Sequence, residues 1–355
     1  MEIKVLLVNV ETDGEIRGMK KKYRILSSNG IDEKIFVNIN GQNQYVFIRG
    51  KDVNSPIILN LHGGPANPDA FLTYEFAKAI SEDFTYVSWD QRGCGRTYYK
   101  NRNVDSKNDT VDFEQALKDV DALVKYLCKR FKKDKVIIMG HSYGSLLGVS
   151  YVSKYPERVE RYIGIGQSVS IIDTQSMNYN EVVDLLNKDS KKIDKLTMAY
   201  QRLKDSVNLD NLMKFQRLII PCLVTNMPKL KKTNQIKCIL SSPDLAFNDI
   251  RWLLGMLNLK GHYARNKKLM DYTLSANIYD LETKFSVPMY FVSGEYDKSC
   301  RVDLLKAYYE TIIAPTKKLV IMKKCGHSPQ IDEPVLLADE IKKLLQSNVV
   351  TKNSK

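Results

Sequence analysis

"DKVIIMGHSYGSLLGVSYV" (134–152) sets a serine between two apolar runs, with a glycine two residues to either side. The run at 136–139 is short and continuous, the pattern of a strand covered on both faces. The run at 146–152 follows Gly144 and reads as a helix. Gly140, His141, Ser142, Tyr143 and Gly144 therefore fall on a strand-to-helix corner. A G-x-S-x-G segment in that context is a nucleophile elbow. Its serine takes a strained backbone conformation and lifts its hydroxyl above the carboxyl end of the sheet, where the free N–H groups of the following helix also point.

Upstream, "EKIFVNINGQNQYVFIRG" (33–50) alternates apolar and polar residues on both sides of Asn40 and Gly41, which predicts an antiparallel hairpin. Strands are expected at 55–64 and 83–93, with a helix at 70–81 between them. Apolar spacing predicts a helix over 109–131, with Asp109 or Thr110 available as its cap. A strand follows the elbow helix at 161–169. Strands alternating with helices over short loops specify an α/β fold, a mostly parallel sheet with helices on both faces. The alternation then stops. Residues 169–286 show helical periodicity and few strand-like runs, which predicts an inserted helical lid. Strands return at 287–297 and 317–329, and a helix at 333–346 closes the core. The domain reading is a core of 1–168 and 287–348, with 1–30 as an N-terminal extension, and a flexible tail at 349–355.

The 355 residues suit one core with a large insertion. Hydrophobic residues at 43% and charged residues at 27% are ordinary for a globular protein. No stretch approaches the ~18–20 apolar residues that span a bilayer, so no stable membrane insertion is expected. The first residues lack a basic front and a small-residue cleavage site, which predicts a cytoplasmic protein. The net charge is +13, but the lysines are scattered and accompany no nucleic-acid signature, so they read as a solvated face and no nucleic-acid partner is expected. Six cysteines form no CxxC pair and are expected as free thiols. Cys94, Cys300 and Cys325 lie within a few residues of segments assigned to the site.

A serine hydroxyl becomes a good nucleophile only beside a base. His327 follows the apolar run "KLVIM" in a loop at the carboxyl end of a late strand, where it can meet Ser142. The acid should follow the preceding strand. "SGEYDKSC" (293–300) offers Glu295 and Asp297. Asp297 is preferred because the chain has room to turn before presenting it; Glu295 is the fallback and Asp303 the third choice. Acyl transfer also needs preorganised N–H donors for the developing oxyanion. In "HGGPA" (62–66) Pro65 has no N–H, so Gly64 is the first candidate and Gly63 the next. The second donor is Tyr143, the residue after the nucleophile. Gly63, Glu295, Tyr296 and Trp252 are the candidate substrate contacts, and Tyr200, Phe215 and Tyr263 are further candidates for the pocket wall. His62 reads as structural, His141 as packing beside the elbow, and His262 as a surface group or ligand contact.

Together these segments resemble the α/β-hydrolase fold, and more narrowly the proline iminopeptidase-like family. The matching words are "LHGGPA", "VSWDQRGCGRT", "GHSYGS", "SGEYDKSC" and "CGHSPQIDEP", in the family's order, over roughly 30–168 and 287–345. The resemblance implies a serine hydrolase of small amides or peptides, with aminopeptidase activity as its narrower implication. It implies a structural role for "DQRGCGRT" and no chemical role for Asp90, Gln91 or Arg92. The family's loop is usually HGGPG, with Ala66 here in place of the last glycine, and its acid segment usually carries arginine where Glu295 stands. The family's lid acids near a tryptophan motif have no counterpart here. Trp252 is the only lid tryptophan, no glutamate follows it, and Glu181, Asp184 and Asp210 match no motif.

The expected activity is thus serine hydrolysis of a small-molecule or short-peptide substrate through an acyl-enzyme. A carboxylesterase or lactonase is the alternative, and a non-catalytic ligand-binding homologue the reading from a different class. Ser142 argues against epoxide hydrolases and dehalogenases, which place aspartate at the elbow. No HExxH or histidine-rich cluster occurs, so neither a metal nor a cofactor is expected. The oligomeric state is unspecified.

Overall fold

Asn40 and Gly41 both take positive φ (46° and 82°), the geometry of a tight turn that matches strand twist. They join β1 (Ile31–Ile39) to β2 (Gln42–Gly50) in an antiparallel hairpin. This computed structural model describes residues 23–187, 189–228 and 235–346. The expected tail at 349–355, and residues 1–22 of the expected N-terminal extension, lie outside the described residues.

Among the described residues the remaining strands are β3 (Ile57–Leu61), β4 (Thr85–Trp89), β5 (Val136–His141), β6 (Val159–Ile165), β7 (Met289–Gly294) and β8 (Lys317–Met322). The sheet order is β1-β2-β4-β3-β5-β6-β7-β8, antiparallel across β1, β2 and β4 and parallel from β4 to β8. The order reverses between β3 and β5, which places a crevice at the carboxyl ends of the central strands.

Core helices are α1 (Tyr74–Ile80), α2 (Gly95–Lys100), α3 (Phe113–Phe131) and α4 (Tyr143–Lys154). Among the described residues seven α-helices lie between β6 and β7: α5 (Ile171–Leu185), α6 (Ser190–Asp205), α7 (Leu209–Asn226), α8 (Gln235–Leu240), α9 (Phe247–Met256), α10 (Leu259–Arg265) and α11 (Lys267–Ser275). The chain ends with α12 (Val302–Thr311), α13 (Pro329–Asp332) and α14 (Pro334–Gln346). Successive β5 residues explain the unbroken apolar run. Val136 and Ile138 pack with α3 and α4 on one face, while Ile137 and Met139 pack with α1 and α14 on the other. The segment between β6 and β7 has its own apolar cluster, in which Leu196, Phe215 and Ile219 are buried. Phe215 thus belongs to that cluster and is closed to a pocket. No described helix is long and apolar enough to cross a membrane.

Two details differ from the sequence reading. The cap of α3 is Asp112, whose carboxylate accepts the Gln115 N–H at 2.8 Å. The Asp109 and Thr110 N–H groups are instead taken by the carboxylate of Asp105, which holds that stretch in a turn. Helix α2 was not anticipated, because it begins at Gly95 and has no apolar periodicity. Its first turn is fixed by the Asp90 carboxylate accepting the Arg96 N–H.

Candidate active site

Ser142 stands between β5 and α4 with φ 55° and ψ −122°. A positive φ at a non-glycine residue costs on the order of 1–3 kcal/mol and persists only where the surroundings impose it. Here its N–H is held by the Ile165 carbonyl of β6 at 3.1 Å. Both motif glycines are required by close approach. A Cβ at Gly140 would lie 2.2 Å from the Gly144 carbonyl oxygen, and one at Gly144 would lie 2.0 Å from that of Leu61. A side chain at Gly140 would push α4 away from β5, and one at Gly144 would push it away from β3. Tyr143 opens α4, where its N–H has no intrahelical acceptor.

The loop 62–66 passes directly beside this corner. A Cβ at Gly63 would sit 3.2 Å from the Ser142 Cβ and 3.1 Å from His141 Nδ1. Gly64 has φ 121° and Ala66 φ 62°, and the Asn67 N–H returns to the Gly63 carbonyl at 3.3 Å. His62 anchors the start of the loop. Its Nδ1 bonds the Gly63 carbonyl at 2.8 Å, and Nε2 accepts the Gln91 N–H at 3.3 Å. Burial lowers the pKa of His62 to about 4, so its ring is neutral.

Asp297 follows β7 and His327 follows β8. His327 Nδ1 lies 2.8 Å from Asp297 Oδ2, and the Asp297 side chain is fully buried. The other carboxylate oxygen accepts the Ser299 and Cys300 N–H groups, each at 2.8 Å. With Nδ1–H donated to the carboxylate, His327 Nε2 is left as an acceptor. His141 bonds the His327 carbonyl through Nε2 at 2.9 Å, and burial, with His327 beside it, lowers its pKa to about 3. Burial, with the Asp297 charge beside it, pushes the Cys300 thiol pKa up, which disfavours the thiolate. Sulfur, carboxylate and imidazole atoms of Cys300, Asp297 and His327 lie within 4.8 Å of one another. A metal there would have to replace the bond between Asp297 and His327.

Of the three acids weighed from sequence, Asp297 is therefore the one that meets His327. Glu295 is exposed and accepts the Lys324 N–H at 3.4 Å. Asp303 pairs with Arg301 on the surface. Tyr296 is partly exposed, and its N–H donates to the Cys325 carbonyl. Trp252 is only 2% exposed and donates its indole N–H to the Ala66 carbonyl at 3.1 Å, so it faces the loop rather than an open pocket wall. His262 is buried against the Trp252 ring. Arg92 bonds Asp119 at 2.6 Å and the Ile39 and Asn40 carbonyls of the hairpin, which is a structural task.

Three contacts were missed by sequence reasoning. Arg96 pairs with Asp249 of α9, Trp252 holds Ala66, and Glu181 of α5 bonds Lys298 and Arg301 beside the acid loop. Each joins residues more than a hundred positions apart, and no local pattern announces them.

The chain is 27% identical over 308 residues to "Probable aminopeptidase YbaC" of Bacillus subtilis, covering 86% of this chain and 93% of that protein. It is 23% identical over 330 residues to a proline iminopeptidase of Saccharolobus solfataricus, covering 92% and 94%. Its fold matches the crystal structure of a proline iminopeptidase of Mycobacterium smegmatis with a TM-score of 0.60 at 12% identity, covering 89% of this chain and 98% of that one. The proline iminopeptidase-like resemblance seen in the motifs thus extends over most of the chain. Residues 56–334 match the alpha/beta hydrolase fold, and the chain belongs to that family.

Proposed function

We propose that this chain is a serine hydrolase that cleaves a small amide, short peptide or ester through an acyl-enzyme, with Ser142 as nucleophile, His327 as general base and acid, and Asp297 as the group that orients His327. The observation that carries this reading is the 2.8 Å bond from His327 to the buried Asp297 at the same sheet edge as the strained Ser142. Ser142 Oγ attacks the substrate carbonyl carbon while His327 Nε2 takes its proton. The oxyanion accepts N–H bonds from Gly64 and Tyr143. The proton on His327 then passes to the leaving amine or alkoxide, and a water, deprotonated by the same nitrogen, releases the acid.

The helical segment between β6 and β7 is the lid in this reading and sets specificity. The narrower reading is an aminopeptidase of the proline iminopeptidase type. An aminopeptidase must offer a carboxylate to the substrate ammonium, because a desolvated ammonium needs a partner. The lid acids Glu181, Asp244 and Asp249 are committed to Lys298 and Arg301, to Lys34, and to Arg96. With these three committed, a substrate ammonium would fall to other acids of the segment, such as Asp173 or Asp184 of α5, whereas the second reading, an esterase or lactonase, needs none.

A fluorophosphonate probe should label the chain, and Ser142→Ala should abolish labelling and lower turnover by about 10⁴-fold or more. Retained labelling would remove Ser142 from the mechanism. Comparing kcat/KM for prolyl-4-nitroanilide, its N-acetylated form and a short acyl ester separates the two readings. Cleavage of only the free-amine substrate supports the aminopeptidase, and turnover of the ester alone overturns it.

A further inference from the structure

Helix α9 touches the loop that would stabilise the oxyanion, packing Trp252 against Ala66 and making one hydrogen bond to it. Trp252 donates its indole N–H to the Ala66 carbonyl, 186 positions earlier in the chain. Ala66 is buried and lies in the left-handed region, two residues after Gly64 and inside the turn closed by Asn67 N–H on the Gly63 carbonyl. An alanine has no intrinsic reason to hold that conformation.

The donor is itself held in place. The Trp252 ring packs against Tyr98 at 5.5 Å and His262 at 5.3 Å between centroids. One turn earlier, Asp249 bonds Arg96 Nε at 2.9 Å, and the Arg96 guanidinium also donates to the Asp244 carbonyl. The Arg96 backbone N–H is fixed by Asp90 at 2.8 Å. The "DQRGCGRT" segment thus forms the joint between the core and α9, and the tryptophan carries that joint to the loop.

We infer that Trp252 is a positioning residue: its N–H holds the Ala66 carbonyl so that the turn 63–67 presents the Gly64 N–H to the tetrahedral intermediate, and the seating of α9 is thereby coupled to catalysis. The inference rests on the serine-hydrolase reading and on Gly64 as an oxyanion donor. Removing an oxyanion donor outright costs about 10²–10³-fold in kcat, and a donor that is only loosened costs less.

The test is Trp252→Phe, which keeps an aromatic ring and removes the N–H. Rates are divided by the concentration of fluorophosphonate-titrated sites, so that a misfolded fraction does not count. The expected result is a kcat lower by about 10–100-fold with KM within about 3-fold, because the loss falls on the transition state. A boronic acid, which mimics the tetrahedral state, should weaken by a similar factor. Asp249→Asn loosens the same seat with the indole in place and should lower kcat per site by about 3-fold or more; it carries the test if Trp252→Phe is insoluble. Unchanged kcat and boronate affinity per titrated site in the soluble variants overturn the inference alone. Labelling that survives Ser142→Ala overturns the serine-hydrolase reading and the inference with it.

Discussion

Asp297 and Ala66 stand at the carboxyl ends of β7 and β3, and their loops are fixed by different parts of the chain. The Asp297 carboxylate is satisfied at short range, by the N–H groups of Ser299 and Cys300 and by His327 on the neighbouring strand's loop. Helix α5 also reaches this loop, through Asn178 on the Lys298 carbonyl at 3.0 Å and Glu181 on the Lys298 and Arg301 side chains, but the bonds to the Asp297 carboxylate itself are all made by the core. The Ala66 carbonyl instead takes its hydrogen bond from a tryptophan of α9. In the proposed mechanism the site would keep its acid and base within the core while the loop at Ala66 is tied to α9. Changes at the Asp297 carboxylate should act on the chemistry alone, whereas changes at the Ala66 carbonyl should also register the position of α9.

The largest effect after loss of Ser142 is expected at the acid loop. Asp297→Asn keeps the shape and lets His327 settle in the wrong tautomer, which lowers kcat by about 10⁴-fold. Glu295→Gln and Asp303→Asn should stay within a few-fold of wild type, because neither carboxylate touches His327. Steady-state kinetics on the three variants decide between them. A larger loss in Glu295→Gln than in Asp297→Asn would transfer the role to Glu295.

The same contrast explains what was legible in the sequence. Ser142 could be read because strand, turn and helix are contiguous and Gly140 and Gly144 mark the close approach to neighbouring backbone. Asp297 and His327 could be read because each follows an apolar strand, and parallel strands bring their ends to one edge. The preference for Asp297 over Glu295 rested on turn length, and the carboxylate's two backbone N–H bonds supply its physical reason. The cap of α3 lies a few residues later than expected because Asp109 and Thr110 belong to a turn held by the Asp105 carboxylate, and cap-type residues this close together give the sequence no means to choose among them. Trp252 could be read only as an aromatic in a helical segment. Its partner is a backbone carbonyl, which carries no residue-type signal, and Arg96 with Asp249 spans 153 positions.

The Ala66 side of the site also holds buried titratable groups, and these make a stability test with a defined sign. Burial lowers His62 to about 4 and His141 to about 3, from 6.5. Their contribution is complete above 6.5 and is lost as pH falls through about 4 and 3, since the unfolded chain then binds the protons. Burial raises Asp69 and Asp90 to about 7, from 3.8. Their contribution is complete below 3.8 and is lost as pH rises through 7. The two effects oppose each other between about 4 and 6.5. Asp69 has one carboxylate oxygen buried without a partner, so it is the clearer of the two acids to remove. Relative to Asp69→Asn, the wild type should lose a few kcal/mol between about pH 4 and 8. Urea unfolding of both proteins across that range measures it. A pH-independent difference would mean that Asp69 is ionised in the fold.

The smallest expected effect is at Ala66 itself. Relief of the left-handed conformation by Ala66→Gly gains about 1–2 kcal/mol. Greater freedom of the unfolded chain costs about 0.4–1 kcal/mol. Loss of a buried methyl against Cys94 and Trp252 costs about 0.8 kcal/mol more. These terms nearly cancel, so stability should stay within about 1 kcal/mol of wild type. Activity should also change by less than about 3-fold, because the Ala66 carbonyl and its indole donor are both retained. The informative measurement is the double variant with Trp252→Phe. Alanine restricts the loop's φ and tryptophan fixes its carbonyl, so the two restraints act on one turn. Removing both should lower kcat per titrated site by more than the product of the single effects. Strict multiplicativity would mean that the loop keeps its shape without either restraint, and the seating of α9 would then not reach the Gly64 N–H.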